Sequence, residues 1–215
     1  GSEVRAIEAG VQPILDTWKG APNVEGVATV QEASQLVGQD LPSDTDGVWS
    51  DGKVYLIAEN IPDANRAVQV LFHEVVGHEG IRKLFGKRLD PFLDEVWSEN
   101  QSDVLKIAKQ RGLDTNILEE RREATEELLA ALAENPPDTL PAFLNRLLVR
   151  LKNLLRIYGV DVSKWGKAEL LDLVAKSKRN LQKVSRETEH LDSPGGSSRT
   201  SQADPQKDPD IRKSR

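Results

Sequence analysis

Residues 73–78 read His-Glu-Val-Val-Gly-His and hold two of the chain's three histidines. They lie in an apolar stretch that Pro62 and Asp63 open as a helix start. Any fold for this chain must therefore carry two imidazoles and a carboxylate on one helix, about a turn apart, which is the donor set of a catalytic zinc site. The spacing constrains the helix further. Side chains at i and i+4 differ by about 40° around a regular α-helix, whereas those at i and i+5 differ by about 140°. His73 and His78 stand at i and i+5, so on a regular helix their rings diverge. For both to reach one ion the helix must absorb an extra residue in a single π-type turn. Gly77, which has no Cβ, is the expected place for it. A helix that stays regular through residue 78 counts against the metal site.

A catalytic zinc needs a third protein ligand and an open position. The chain has no cysteine, and His190 falls in a polar C-terminal stretch, so a carboxylate is the expected third ligand. The segment Leu118–Glu134 supplies several. Its apolar positions have helical periodicity, and Glu123, Glu127 and Ala130–Ala131 share a face. The alanines would let this helix approach the motif helix closely. Glu74, beside a ligand and inside the motif, is placed to act as general base toward a water. Tyr55, Tyr158 and Arg82 are candidate oxyanion donors by residue type, with Arg82 better suited to a structural ion pair. The bland alternative is a pair of structural histidines above a solvated acidic helix. A glutamate between two otherwise scarce histidines weighs against it.

The form His73-Glu74-Val75-Val76-Gly77-His78 resembles the one-residue-longer motif of the gluzincins seen in dipeptidyl peptidase III. The longer run Leu71 to Arg82, with Gly80-Ile81-Arg82 after the second histidine, together with Asp51-Gly52-Lys53-Val54-Tyr55-Leu56, looks like the zincin-like metallopeptidase domains of large polyvalent phage and prophage proteins. The resemblance spans roughly residues 45–135. It implies a zinc-dependent peptidase with His73 and His78 as metal ligands and Glu74 as catalytic base. The pair Glu126-Glu127 before an alanine-rich run is similar to the downstream gluzincin element whose second glutamate binds metal. That makes Glu127 the implied third ligand, with Glu126 and Glu123 as alternatives. A peptide or protein substrate, further domains of a larger polyprotein, and a setting in the bacterial cytoplasm or the virion are implied with it. The alternative under the same resemblance is an inactive zincin-fold interaction or scaffold module.

The remainder fits an α+β, mostly helical domain, with a small N-terminal β-sheet and hairpin packed on a helical bundle that carries the motif helix. Helices are expected over 3–18, 31–38, from Asp63 to about Phe85, 90–111, from Asp114 to Glu134, 140–158 and 163–186, and a strand near 24–30. Asp51-Gly52 between Val48-Trp49-Ser50 and Lys53 to Ile57 is a two-residue hairpin signal. Val54 to Ala58 is the expected cleft-edge strand, against which substrate backbone would pair. The expected domain is 1–186, with a catalytic core at about 45–135 and a helical part at 138–186. From Glu187 on, few large apolar residues remain, so 187–215 reads as a tail or linker. Methionine is absent even at position 1 and Gly1-Ser2 looks like a cloning scar, so a piece of a longer chain is expected. Helix 140–158 is basic and amphipathic, and its leucine stripe is expected to pack on the core rather than on a membrane. No apolar run approaches the roughly 20 residues that span a bilayer. Net charge is −6, with ten Lys/Arg against six Asp/Glu from Lys176 on, which leaves the preceding body at −10. So acidic a body argues against a nucleic-acid surface.

Overall fold

The structure is a computed structural model that describes residues 1–191 and 210–213, without the side chains of Arg179, 182–191 and 210–213. Among these residues the fold is α+β and mostly helical. Helix α1 (Ser2–Thr17) leads to β1 (Asn23–Val27), α2 (Val30–Val37) and the hairpin β2 (Thr45–Ser50) and β3 (Lys53–Ile57). Then follow α3 (Ala64–Glu79), α4 (Arg82–Phe85), α5 (Leu89–Glu99), α6 (Gln101–Arg111), α7 (Leu118–Glu134), α8 (Ala142–Ile157), α9 (Lys167–Leu191) and β4 (Asp210–Lys213). No described helix is long and apolar enough to cross a membrane.

The hairpin forms at Asp51-Gly52, where φ is +50° and +77°, the left-handed pair that a two-residue turn requires. The sheet order is β1-β3-β2-β4. Strand β1 runs parallel to β3, and β2 runs antiparallel to both β3 and β4. This order corrects one expectation. The segment Val54–Ala58 is not a cleft edge, because the chain returns through α2 and lays β1 along the other side of β3. The strand between β3 and the outer edge is β2.

One face of the sheet, with α1, α3, α5, α8 and α9, encloses a core around Phe72, Leu71, Phe92, Leu144 and Leu151. The other face is covered by α2 through Val27, Val30, Ala33, Leu41, Val48 and Ile57. Leu144, Leu147, Leu148, Leu151 and Leu155 of α8 are all buried, so its stripe is spent on the core. Three helix boundaries differ from expectation. The motif helix ends at Gly80 rather than Gly86, since Gly80 takes φ +73° and ψ 170° where Asn180 of α9 crosses, 3.0 Å from where a Cβ would sit. The 90–111 helix breaks at Asn100 (φ −135°, ψ 35°) into α5 and α6. Helix α7 begins only at Leu118, after a turn in which Asp114 Oδ1 accepts from Asn116 N–H. Of the expected tail 187–215, the described parts are the last turns of α9 and strand β4, and the rest lies outside the described residues.

Candidate functional site

Helix α3 starts as its sequence directs. Asp63 caps it, accepting from Arg66 N–H at 2.8 Å. The Arg66 side chain turns back to the fully buried Asp46 at the start of β2, donating to Oδ2 through Nε at 3.1 Å and Nη2 at 2.6 Å. This pins the helix across the strand. The approach is so close that a Cβ on Gly47 would sit 2.3 Å from Val70 Cγ1 and 3.4 Å from Glu74 Cγ. Two residues along β2, Trp49 stacks on the His78 ring, with centroids 5.2 Å apart and planes within 9°. One helical step of four residues, about 6 Å, nearly matches two strand residues, about 6.8 Å. Glu74 and His78 therefore sit over Gly47 and Trp49, which share the sheet face toward α3. Glu74 is 2% exposed.

His73 points elsewhere. Its Nε2 lies 3.5 Å from Asp172 Oδ2 on α9, and its ring lies nearly parallel to Trp165, centroids 6.4 Å apart. Trp165 also meets Phe72 edge-on, and Phe72 stacks on Trp18, so this side of α3 continues into the aromatic core. Helix α3 is α-helical throughout, and Gly80 N–H still donates to Val76 O at 2.8 Å. The expected bulge at Gly77 is absent. The helix keeps its α-helical form through this turn, and the two histidines pack against different partners, α9 and β2.

The carboxylates of α7 are also placed differently from expectation. Glu127 is 6% exposed, and Arg111 Nη1 donates to both its oxygens at 2.8 Å. Glu126, 5% exposed, accepts from Arg82 Nη2 at 2.7 Å, while Arg82 Nη1 holds Asp90 at 2.6 Å. Burial pushes the Glu126 carboxyl above its ordinary value, with the Arg82 charge opposing the shift. Glu123 is half-buried one turn before Glu127. The alanine-rich face of α7 packs tightly as expected, but α9 is what packs against both α7 and α3. Among the described residues, no group of three or more His, Cys, Asp or Glu is arranged to hold a metal ion. Two imidazoles and a carboxylate suit zinc chemically, but as folded here His73 faces α9, His78 faces β2 and Glu127 faces Arg111.

The oxyanion candidates have structural partners. Tyr158 Oη donates to Leu84 O at 2.8 Å, and Arg82 is held by Asp90 and Glu126. Tyr55 pairs with Val48, whose side chain packs on the α2 side of the sheet, away from Glu74. Sequence reasoning missed Gly47, Trp49, Asp172 and Arg111. For the first two a signal existed: alternate residues before a hairpin turn share one face. Comparison of the chain with protein-family models, with curated proteins and with solved structures finds no match in any of the three.

Proposed function

We propose that the chain is a zincin-type peptidase domain. In this reading it hydrolyses peptide bonds with zinc, using His73 and His78 as nitrogen ligands, Glu127 as carboxylate ligand and Glu74 as general base. The observation that carries the reading is the position of Glu74. It is a buried carboxylate on the motif helix, over Gly47 of β2, whose outer side carries the four-residue strand β4. With β4 displaced, the outer side of β2 would orient an extended peptide by backbone pairing. A carboxylate beside it can take the proton of a water attacking the peptide carbonyl and return it to the leaving amine. The ligand set rests on the motif and the resemblance. It requires that metal loading turn His73 and His78 toward one point and release Glu127 from Arg111. The substrate class is peptide or protein, the setting a larger phage-derived protein in a bacterial cytoplasm or virion.

A second reading, an interaction module without catalysis, is favoured by the arginines that neutralise Glu126 and Glu127. Two measurements separate the readings: the zinc content of the purified chain, and cleavage of a peptide library by the native chain and by Glu74→Gln. The peptidase reading expects about one zinc per chain and a loss of roughly 10²- to 10⁴-fold in the variant. Bound zinc with equal inactivity of both proteins would leave the interaction module. A chain that takes up no zinc would sink the ligand set as well.

A further inference from the structure

The outer edge of β2 is not bare. Strand β4, Asp210–Lys213, lies along it antiparallel, pairing Asp210 with Trp49, Ile211 with Val48 and Arg212 with Gly47. The register then slips, so that Lys213 faces Thr45. Helix α3 also packs against β4. The two-residue hairpin makes Ser50 and Lys53 a hydrogen-bonded pair. By the alternation of an antiparallel ladder, the outward backbone groups of β2 are those of Trp49 and Gly47. These two residues carry His78 and Glu74 above them. The C-terminal segment of the chain therefore runs in the lane beside the motif helix, with its backbone at Arg212 level with Gly47.

Several features mark β4 as an occupant rather than a founding strand of the sheet. It is four residues long, it has one apolar residue, and its ladder is irregular after Arg212. Eighteen residues of sequence separate it from α9, whereas β2 and β3 are joined directly by the two-residue turn Asp51-Gly52. A short edge strand with little apolar surface belongs to the low-stability end of a fold, where local opening is cheap. Tethering compensates: a segment on the same chain is presented at an effective concentration of the order of millimolar.

We propose that the outer edge of β2 is a strand-docking surface, and that Asp210–Lys213 of the same chain is its built-in, displaceable occupant. An incoming extended peptide must take the place of this segment to lie beneath Glu74 and His78. The docking itself stands apart from the chemistry; its consequence for cleavage rests on the peptidase reading above.

The test is residue-resolved amide hydrogen exchange on the full chain, comparing the native protein with the Asp210→Pro/Arg212→Pro double variant. Proline removes the two N–H groups that face β2. Exchange at Gly47 and Trp49 is expected to rise about tenfold or more in the variant, while Val48, Val54 and the α3 amides stay as they were. A synthetic peptide spanning residues 208–215, added at millimolar concentration, should restore the protection at Gly47 and Trp49. Unchanged exchange at these two amides in the variant overturns the proposal, because nothing then docks there. Accelerated exchange throughout β3 and α3 also overturns it, because β4 would then be integral to the fold. Failure of the added peptide to restore protection shows that the edge does not accept a strand in trans, and overturns displaceability. None of these outcomes depends on cleavage, so inactivity of both the native chain and Glu74→Gln removes the peptidase reading and leaves the docking result standing.

Discussion

Glu74 on α3 and Glu127 on α7 are both nearly inaccessible, 2% and 6% exposed, and they are packed against different elements of the chain. Glu127 is enclosed by cationic chemistry: Arg111 holds both of its oxygens, and Arg82 holds its neighbour Glu126. Glu74 lies where α3 presses on β2: the missing Cβ of Gly47 leaves room for Val70 and for the Glu74 side chain, and His78 follows one turn on. A buried carboxylate clamped by an arginine is an internal salt bridge, whose removal on one side is costly. A buried carboxylate over Gly47 of β2 stands, on the peptidase reading, beside the edge where a peptide would lie. On the peptidase reading, the proposed general base belongs to the α3–β2 junction, and α7 supplies the proposed carboxylate ligand.

The strongest way to break the contrast is to remove the clamp. Arg111→Leu leaves Glu127 buried without its cation and should lower stability by about 3 kcal/mol in metal-free protein, read by urea unfolding at neutral pH. If Glu127 is a metal ligand, saturating zinc should recover more stability in this variant than in the native chain. A variant as stable as the native protein would mean that the Arg111–Glu127 pair contributes nothing to the fold. The other half of the contrast is steric. Gly47→Ala places a methyl group into Val70 and should cost about 2 kcal/mol, part of which Val70→Ala on the same chain recovers. Equal stability of Gly47→Ala and the native chain would show that α3 does not press on β2.

How much of this was legible in the sequence follows from the range of each interaction. The cap at Asp63, the Asp51-Gly52 turn and the amphipathic α8 are local, and each formed where its residues placed it. The motif placed its three residues on one helix, and the i+5 spacing correctly set the divergence of His73 and His78 on a regular helix as the alternative to a bulge. Which outcome prevailed depended on α9, about a hundred residues downstream, and no local pattern pairs Asp172 with His73. The cleft strand was misplaced for a similar reason. A hairpin signal shows that two strands pair but not on which side of it β1 will return. Arg111 sits in the last turn of α6, where a basic residue suits the helix end, and its partner sixteen residues on emerges only when α6 and α7 pack.

A pH titration sharpens the same comparison on the α7 side. Burial raises Glu126 above its ordinary value of 4.5, so the folded chain holds this proton more tightly than the unfolded one does. The sign follows from linkage. As pH rises from 4.5 through the folded value, the group costs stability, and below 4.5 both states are protonated and the difference vanishes. Glu126→Gln removes that titration. Its stability relative to the native chain should improve as pH is raised across this window, measured by denaturant midpoints at each pH. A difference that is flat with pH would mean that Arg82 fully offsets the burial.

The smallest effect on stability is the most informative about His73. Asp172 is half exposed and 3.5 Å from His73 Nε2, so Asp172→Asn should change stability by no more than about 0.5 kcal/mol. Zinc affinity is a different readout. A carboxylate that orients a metal-binding imidazole through its other nitrogen typically accounts for about 10- to 100-fold in affinity. If His73 is a ligand, Asp172→Asn should therefore weaken zinc binding by about tenfold or more while the unfolding midpoint stays within that narrow margin. An unchanged affinity in a chain that binds zinc would assign His73 to the aromatic core it shares with Trp165, and would leave Glu74 and His78 as the working pair over β2.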